Sequence, residues 1–447
     1  MQFAISKMVI TPNEPVYMAG FAARTEKSTG VHDDIYAKAV LLVANQPLLI
    51  LTLDMLGGDR SFIHGIKEEL YESFALKAEQ ILINFSHTHG SVYVTGEHYP
   101  ELRRGRYSMG SGVGMDLDLD NTEQFSKDIE YYRFLKKTLI NLVRQCYERL
   151  EEGELRLAVG KTDISVSRRL LTDNGVEWAP NFAAEIDKEL AVMKLVNTGG
   201  RLRGILFSHG CHPTSMNNRE ISAEFVGHAC DCLEERYEDV TAVFLQGCGA
   251  EIKPVASVNG NRFKQCTFEE MEQAGKAFAL EVAEMIEHAS FRAIEPSFQT
   301  KLLNVKLYTE EENLADYEQQ INDPAVTEDK RNVLRKLVKG IEEGIARDHL
   351  HIYVAIWQLD ATTKLIALEG EIATAYSLMI KRLFQDQTTI VLGYSNGVFT
   401  YIPTRKMVAE GGYEADRAPK AHMFRAPFIP EIEDIIIGQI AKAEWID

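Results

Sequence analysis

Positive charge is in deficit: 48 basic residues face 66 acidic ones, a formal net charge of −18. Such a chain is repelled by a phosphate backbone and by an anionic bilayer. Nucleic acid is thereby excluded as a partner, and a small-molecule substrate fits better. Cysteine is also scarce. Six in 447 residues, with no paired CxxC module, make neither a disulfide framework nor a thiolate zinc site. Cys230 and Cys232 lie in a helical pattern, where residues two apart face different directions. A reducing cytoplasm is the expected location. Long apolar runs are missing as well: the most apolar stretch, 40–56, is interrupted by Asn45, Gln46, Pro47 and Asp54 and cannot span a bilayer as a helix. Residues 1–12 lack the basic flank and continuous apolar core of a signal peptide. No stable membrane insertion is expected.

What is present is a chain 45% apolar and 26% charged, long enough to bury a large core. Residues 40–54 alternate little and are rich in Leu, Val and Ile, which suits a strand buried on both faces. Residues 61–76 carry Phe62, Ile66, Leu70 and Phe74 at helical spacing, and 80–85 returns to a short apolar run. The alternation recurs later: strands over 190–196, 202–208 and 240–246, helices over 223–237 and 268–288. An α/β architecture follows, a mixed β-sheet core flanked by helices. With no repeat, low-complexity tract or flexible linker, residues 1–447 are expected to form a single domain.

Two segments differ. Residues 103–121 hold four glycines followed by Asp116, Asp118 and Asp120; Lys127 stands where a calcium loop needs its bidentate glutamate, so a solvated loop over a pocket is expected. Residues 309–348 form a charged insertion, predicted to be two surface helices broken near Asp323-Pro324.

The sharpest chemical signal is Ser86-His87-Thr88-His89-Gly90, directly after an apolar run. If the strand continues, His87 and His89 project to one face at its carboxyl end, where α/β sheets commonly place their sites. Two imidazoles in one space suit a metal with a neighbouring base, although two hydrogen-bonded histidines would leave the same motif. A second cluster, His209-Gly210-Cys211-His212-Pro213-Thr214-Ser215-Met216, also follows a predicted strand. Pro213 disfavours helix at His212, so one of the two histidines is expected to be structural. In Glu369-Gly370-Glu371, between the strand 364–368 and the helix 372–384, either carboxylate could bind a cation or cap the helix N-terminus. Spacing alone selects neither Tyr401 nor Tyr413.

Together these pieces resemble the neutral (non-lysosomal) ceramidase family of zinc-dependent amidases, in its catalytic domain. The likeness runs from Ile10-Thr11-Pro12, Met18-Ala19-Gly20 and Tyr36-Ala37-Lys38-Ala39 to the region around Tyr413; His87-Thr88-His89 and His212-Pro213-Thr214-Ser215-Met216 are its most specific motifs. The resemblance implies His87, His212, Glu371 and Tyr401 as ligands of Zn2+. It implies His89 as the neighbouring base, and Tyr413 and Arg168 as further active-site groups, with Arg169 the alternative to Arg168. The implied reaction is hydrolysis of an amide in an N-acylated small molecule, ceramide-like or a smaller soluble analogue.

The chain departs from the family pattern at Glu251 and Lys253, where an aspartate and a small polar residue are usual, and in the residues after His89. A longer acid and a cation change the shape and charge of the pocket. The C-terminal immunoglobulin-like domain of secreted members is not expected. A barrel-type amidohydrolase is the alternative enzyme class, though it needs its His-x-His pair on the first strand and a late aspartate. A non-catalytic descendant that binds a ligand through the same pocket is the alternative outside catalysis.

Overall fold

The computed structural model describes residues 1–21, 24, 26–94 and 126–443, with the side chains of 126–128 left aside. The expected loop 103–121 lies outside the described residues. Two sheets pack face to face, and helices cover the outer face of each. The larger sheet has nine strands, eight of them in the order Thr241–Gln246, Leu202–His209, Glu189–Asn197, Glu151–Lys161, Gln2–Val9, Tyr36–Val43, Pro47–Leu53, Ile81–Phe85. The ninth, Arg292–Ala293, pairs with Glu151–Lys161 off this path. The two terminal pairs of the path are parallel and the rest antiparallel. The smaller sheet runs Gln299–Tyr308, His349–Asp360, Thr363–Leu368, Thr388–Leu392, its last pair parallel.

Side-chain alternation explains the layering, because successive residues of a strand face opposite sides. On Tyr36–Val43, Ala37, Ala39 and Leu41 pack with the helices Arg60–Phe74 and Ser126–Glu148, while Val40 and Leu42 point to the other sheet. There they meet Trp357, Leu365 and Ala367 of the smaller sheet. Leu190, Val192, Ile205 and Phe207 turn outward against the helices Glu224–Arg236 and Phe268–His288. Ile352, Val354 and Ile366 turn outward beneath Thr374–Leu383 and Ile432–Lys442.

The single strand expected over 40–54 is instead a hairpin, Tyr36–Val43 and Pro47–Leu53. Both arms are buried on both faces, so the hydrophobic pattern carries no mark of the turn; only Asn45-Gln46-Pro47 does. The charged segment does contain two helices, Leu314–Asn322 and Glu328–Glu342, separated at Asp323-Pro324. All six cysteines are free.

One buried side chain gathers the sheet ends. Asn84, on the last strand of the eight-stranded path, accepts from the Gln246 N–H at 2.8 Å and donates to the carbonyls of Gln246 (3.2 Å) and Gly393 (3.0 Å). Through it the carboxyl ends of Ile81–Phe85, Thr241–Gln246 and Thr388–Leu392 converge. Their parallel neighbours Leu202–His209 and Thr363–Leu368 end alongside, His209 opposite Gln246 and Ala367 opposite Leu392. Residues just beyond these strands are therefore delivered to one place.

Candidate metal centre

His87 and His89 leave the strand Ile81–Phe85 in a turn and not, as alternation would require, along a continued strand. His87 has φ 60°, a left-handed conformation that costs about 1 kcal/mol or more outside glycine. The turn brings the two rings to 5.4 Å between centroids, and His212, carried beyond Leu202–His209, comes within 4.7 Å of the His87 ring. One nitrogen from each of His87, His89 and His212 falls within 4.8 Å of the others, and all three residues are buried.

The orientation of each ring is fixed by its surroundings. His87 Nδ1 donates to the Leu56 carbonyl at 2.5 Å, which turns Nε2 toward Glu371 Oε2 at 3.4 Å. Glu371 Oε2 is buried and takes no hydrogen bond from the described residues. His89 Nε2 and His212 Nε2 stand 3.1 Å apart, close to the roughly 3.3 Å between two nitrogens that share a tetrahedral ion at ~2.05 Å. Burial, and then the neighbouring His87, holds both His89 and His212 well below the usual imidazole range, so both are neutral at neutral pH. Three buried imidazoles, one of them facing a buried carboxylate oxygen, match the donor set of a divalent cation.

The remaining sequence-predicted residues fall around this cluster. Glu369 turns away: its carboxylate meets the Arg60 guanidinium and accepts from the Tyr353 N–H at 2.6 Å. Neither it nor Glu371 caps the following helix. Glu251 does so, accepting the Thr374 N–H at 3.1 and 3.2 Å, and burial pushes its carboxyl up to about 7. Tyr401 pairs in register with Glu371, and its hydroxyl hydrogen-bonds with the Arg168 guanidinium and the Tyr413 hydroxyl. Burial, and then Glu371, raises that hydroxyl well above the ordinary phenol range.

Arg168 and not Arg169 faces the site. Its Nε bonds Glu414 at 2.8 Å, its Nη2 is buried without a partner among the described residues, and its guanidinium lies 4.3 Å from the Trp178 ring. Arg169 turns to Glu414, Glu410 and the Gly411 carbonyl. His209 is the structural histidine, satisfied by Ser165 Oγ at 3.0 Å and the Glu189 carbonyl at 2.9 Å.

Two residues at the site carried no sequence signal. Tyr394 has φ 50°, is fully buried, packs 4.4 Å from the His87 ring, and has no hydrogen-bond partner for its hydroxyl. Its place just past the strand Thr388–Leu392 is the same kind of position that His87 and His212 occupy, and that was the available clue. Arg24 donates to the carbonyls of Ala19 (3.0 Å) and His89 (2.5 Å) from a segment without periodicity. Beside it, Gly20 has φ 97° and lies so close to the His89 imidazole that a Cβ there would overlap the ring.

No protein-family model and no curated protein matches the chain. Solved structures do. A neutral ceramidase from Pseudomonas aeruginosa superposes with a TM-score of 0.73 at 16% identity, over 98% of this chain and 73% of that one. A ceramidase complexed with C2 gives 0.69 at 17% identity, over 98% and 74%. The chain thus has the neutral-ceramidase fold, a mixed α/β architecture, across nearly its whole length.

Proposed function

We propose that the protein is a zinc-dependent hydrolase that cleaves the amide bond of an N-acylated small molecule. The observation that carries this is the meeting of three buried imidazoles, their nitrogens within 4.8 Å of one another, with His87 also 3.4 Å from a buried carboxylate oxygen that no donor among the described residues satisfies. His87, His212 and Glu371 would hold the ion, with Tyr401 beside Glu371 as the fourth ligand. The mixed nitrogen and oxygen donors suit zinc. Bound there, zinc supplies Lewis acidity, polarising a carbonyl and lowering the pKa of water towards ~7.

The chain's own groups do the rest. His89, neutral because it is buried, takes the proton of the attacking water at Nε2 and returns it to the nitrogen that departs. Arg168 Nη2 and the Tyr413 hydroxyl donate to the oxygen on which negative charge develops, about 3–4 kcal/mol for one well-placed donor. The acyl C–N bond breaks, the water oxygen stays on the acyl carbon, and the amine leaves protonated. The fold shared with ceramidases supports an amide as the bond attacked.

The 3.1 Å approach of His89 to His212 favours a second reading, in which His89 is a third imidazole ligand. Elemental analysis separates the two. Purified protein should carry one zinc per chain; His87→Ala and His212→Ala should lose it. His89→Ala should keep zinc but lose turnover of an N-acyl amine panel, and zinc loss there would make His89 a ligand. A wild-type protein that binds no transition metal ends the proposal. A melting-temperature shift with an N-acyl amine, without product, would identify a binding protein instead.

A further inference from the structure

Lys253 is a buried cation beside the metal centre that has no ion-pair partner among the described residues. It is 5% exposed, and its ammonium donates to the Thr214 carbonyl at 2.7 Å and Thr214 Oγ1 at 2.9 Å, two residues beyond His212. An ammonium has three protons to donate, so one remains. Among the described residues no carboxylate comes within ion-pair distance of it. The acid nearest in effect, Glu224, has one oxygen taken by the Ser215 N–H (3.0 Å) and hydroxyl (2.6 Å), and its other oxygen is buried without a partner. Arg168, the other cation on this side, has Glu414. Burial and Arg168 push Lys253 down to about 8, so it still carries its charge at neutral pH. A buried charge offset only by a carboxylate beyond ion-pair distance is costly, and an anion supplied from outside lowers that cost.

A row of rings leads from solvent to this ammonium and to the metal centre. Lys253 Nζ lies 5.5 Å from the Phe263 ring; Phe263 and Trp178 are 6.5 Å apart, Trp178 and Tyr413 6.2 Å, Tyr413 and Tyr401 5.3 Å. Trp178 is 52% exposed and Tyr413 37%. An acyl chain can lie along such rings but gains nothing against a buried ammonium, so the group at Lys253 belongs to the amine half of the substrate. We propose that Lys253 selects substrates whose amine portion carries an anion, N-acylated amino acids being the simplest class. This rests on the hydrolase reading given above.

The test uses the zinc-loaded full chain and three substrates with one acyl chain: N-dodecanoylglycine, N-dodecanoylethanolamine and its O-phosphate. In the wild type, kcat/KM for at least one anionic amide should exceed that of the neutral ethanolamide about tenfold or more. The better anion names carboxylate or phosphate as the source of the charge. Lys253→Met should lower the ratio of anionic to neutral kcat/KM by about tenfold, mainly through KM, and Lys253→Arg should restore it. A wild-type ratio near one, or a ratio that Lys253→Met leaves unmoved while its melting curve stays cooperative, overturns the proposal. If no amide is cleaved, the hydrolase reading fails by itself. Stabilisation of the wild type by N-dodecanoylglycine then decides: its loss in Lys253→Met supports the anion site, and its persistence refutes it.

Discussion

Replacing Glu371 by glutamine isolates the charge of the proposed metal ligand from its shape. In the wild type the Oε2 atom is buried, lacks a hydrogen-bond donor among the described residues and stands 3.4 Å from His87 Nε2, so without a cation a buried carboxylate charge is left poorly satisfied. A buried polar atom left unsatisfied costs about 1–3 kcal/mol. Glu371→Gln removes that buried charge while keeping the shape, so the metal-free variant should be as stable as the metal-free wild type or more stable, by up to about 2 kcal/mol. Metal affinity should move the other way. Groups that only orient a ligand are worth about 10–100-fold in affinity, so removing the charge of a direct ligand should cost at least ~100-fold, about 2.7 kcal/mol. Chelator-stripped protein titrated with zinc against a fluorescent competitor gives the affinity, and urea unfolding of the same samples gives the stability. Zinc affinity within about tenfold of wild type would refute the ligand assignment. A metal-free variant less stable than wild type would show that Glu371 serves the fold.

Three further outcomes follow from the geometry. Gly20→Ala sets a Cβ against the His89 ring at a backbone position of positive φ, and should cost about 1–3 kcal/mol in urea unfolding and lower amide turnover by displacing His89; unchanged turnover would free His89 from the reaction. Glu251 has its folded carboxyl raised to about 7 from the ordinary 4.5, so the folded state binds the extra proton and stability falls as pH rises from about 4.5 through 7; Glu251→Gln should therefore gain about 2–3 kcal/mol more over wild type at pH 8 than at pH 4.5, and a pH-independent difference in unfolding midpoint would contradict this. Asn84→Ala strips partners from the buried backbone groups of Gln246 and Gly393 and should cost about 2–4 kcal/mol, read by thermal melting; a loss under about 0.5 kcal/mol would mean that the strand ends converge without it.

Periodicity along the chain determined which segments are strands and which are helices, since burial of one face is a local property of residues two or four apart. The helix Phe268–His288 matches its expected bounds, and the break at Asp323-Pro324 falls where proline requires it. The histidine motifs, too, were legible in their own short stretches. Tertiary structure decided how these pieces are used. Glu371 and not Glu369 meets His87, because Arg60, some three hundred residues earlier, claims Glu369. His209 is consumed by Ser165 and Glu189 while His212 is turned to His87 and His89, and Tyr394 and Arg24 join the site with no local pattern to announce them. The turn that gives His87 its left-handed backbone replaced the expected strand continuation. A side chain's role at a buried centre depends on which donors and charges from distant strands reach it first, and that competition is settled only when the strand ends meet around Asn84.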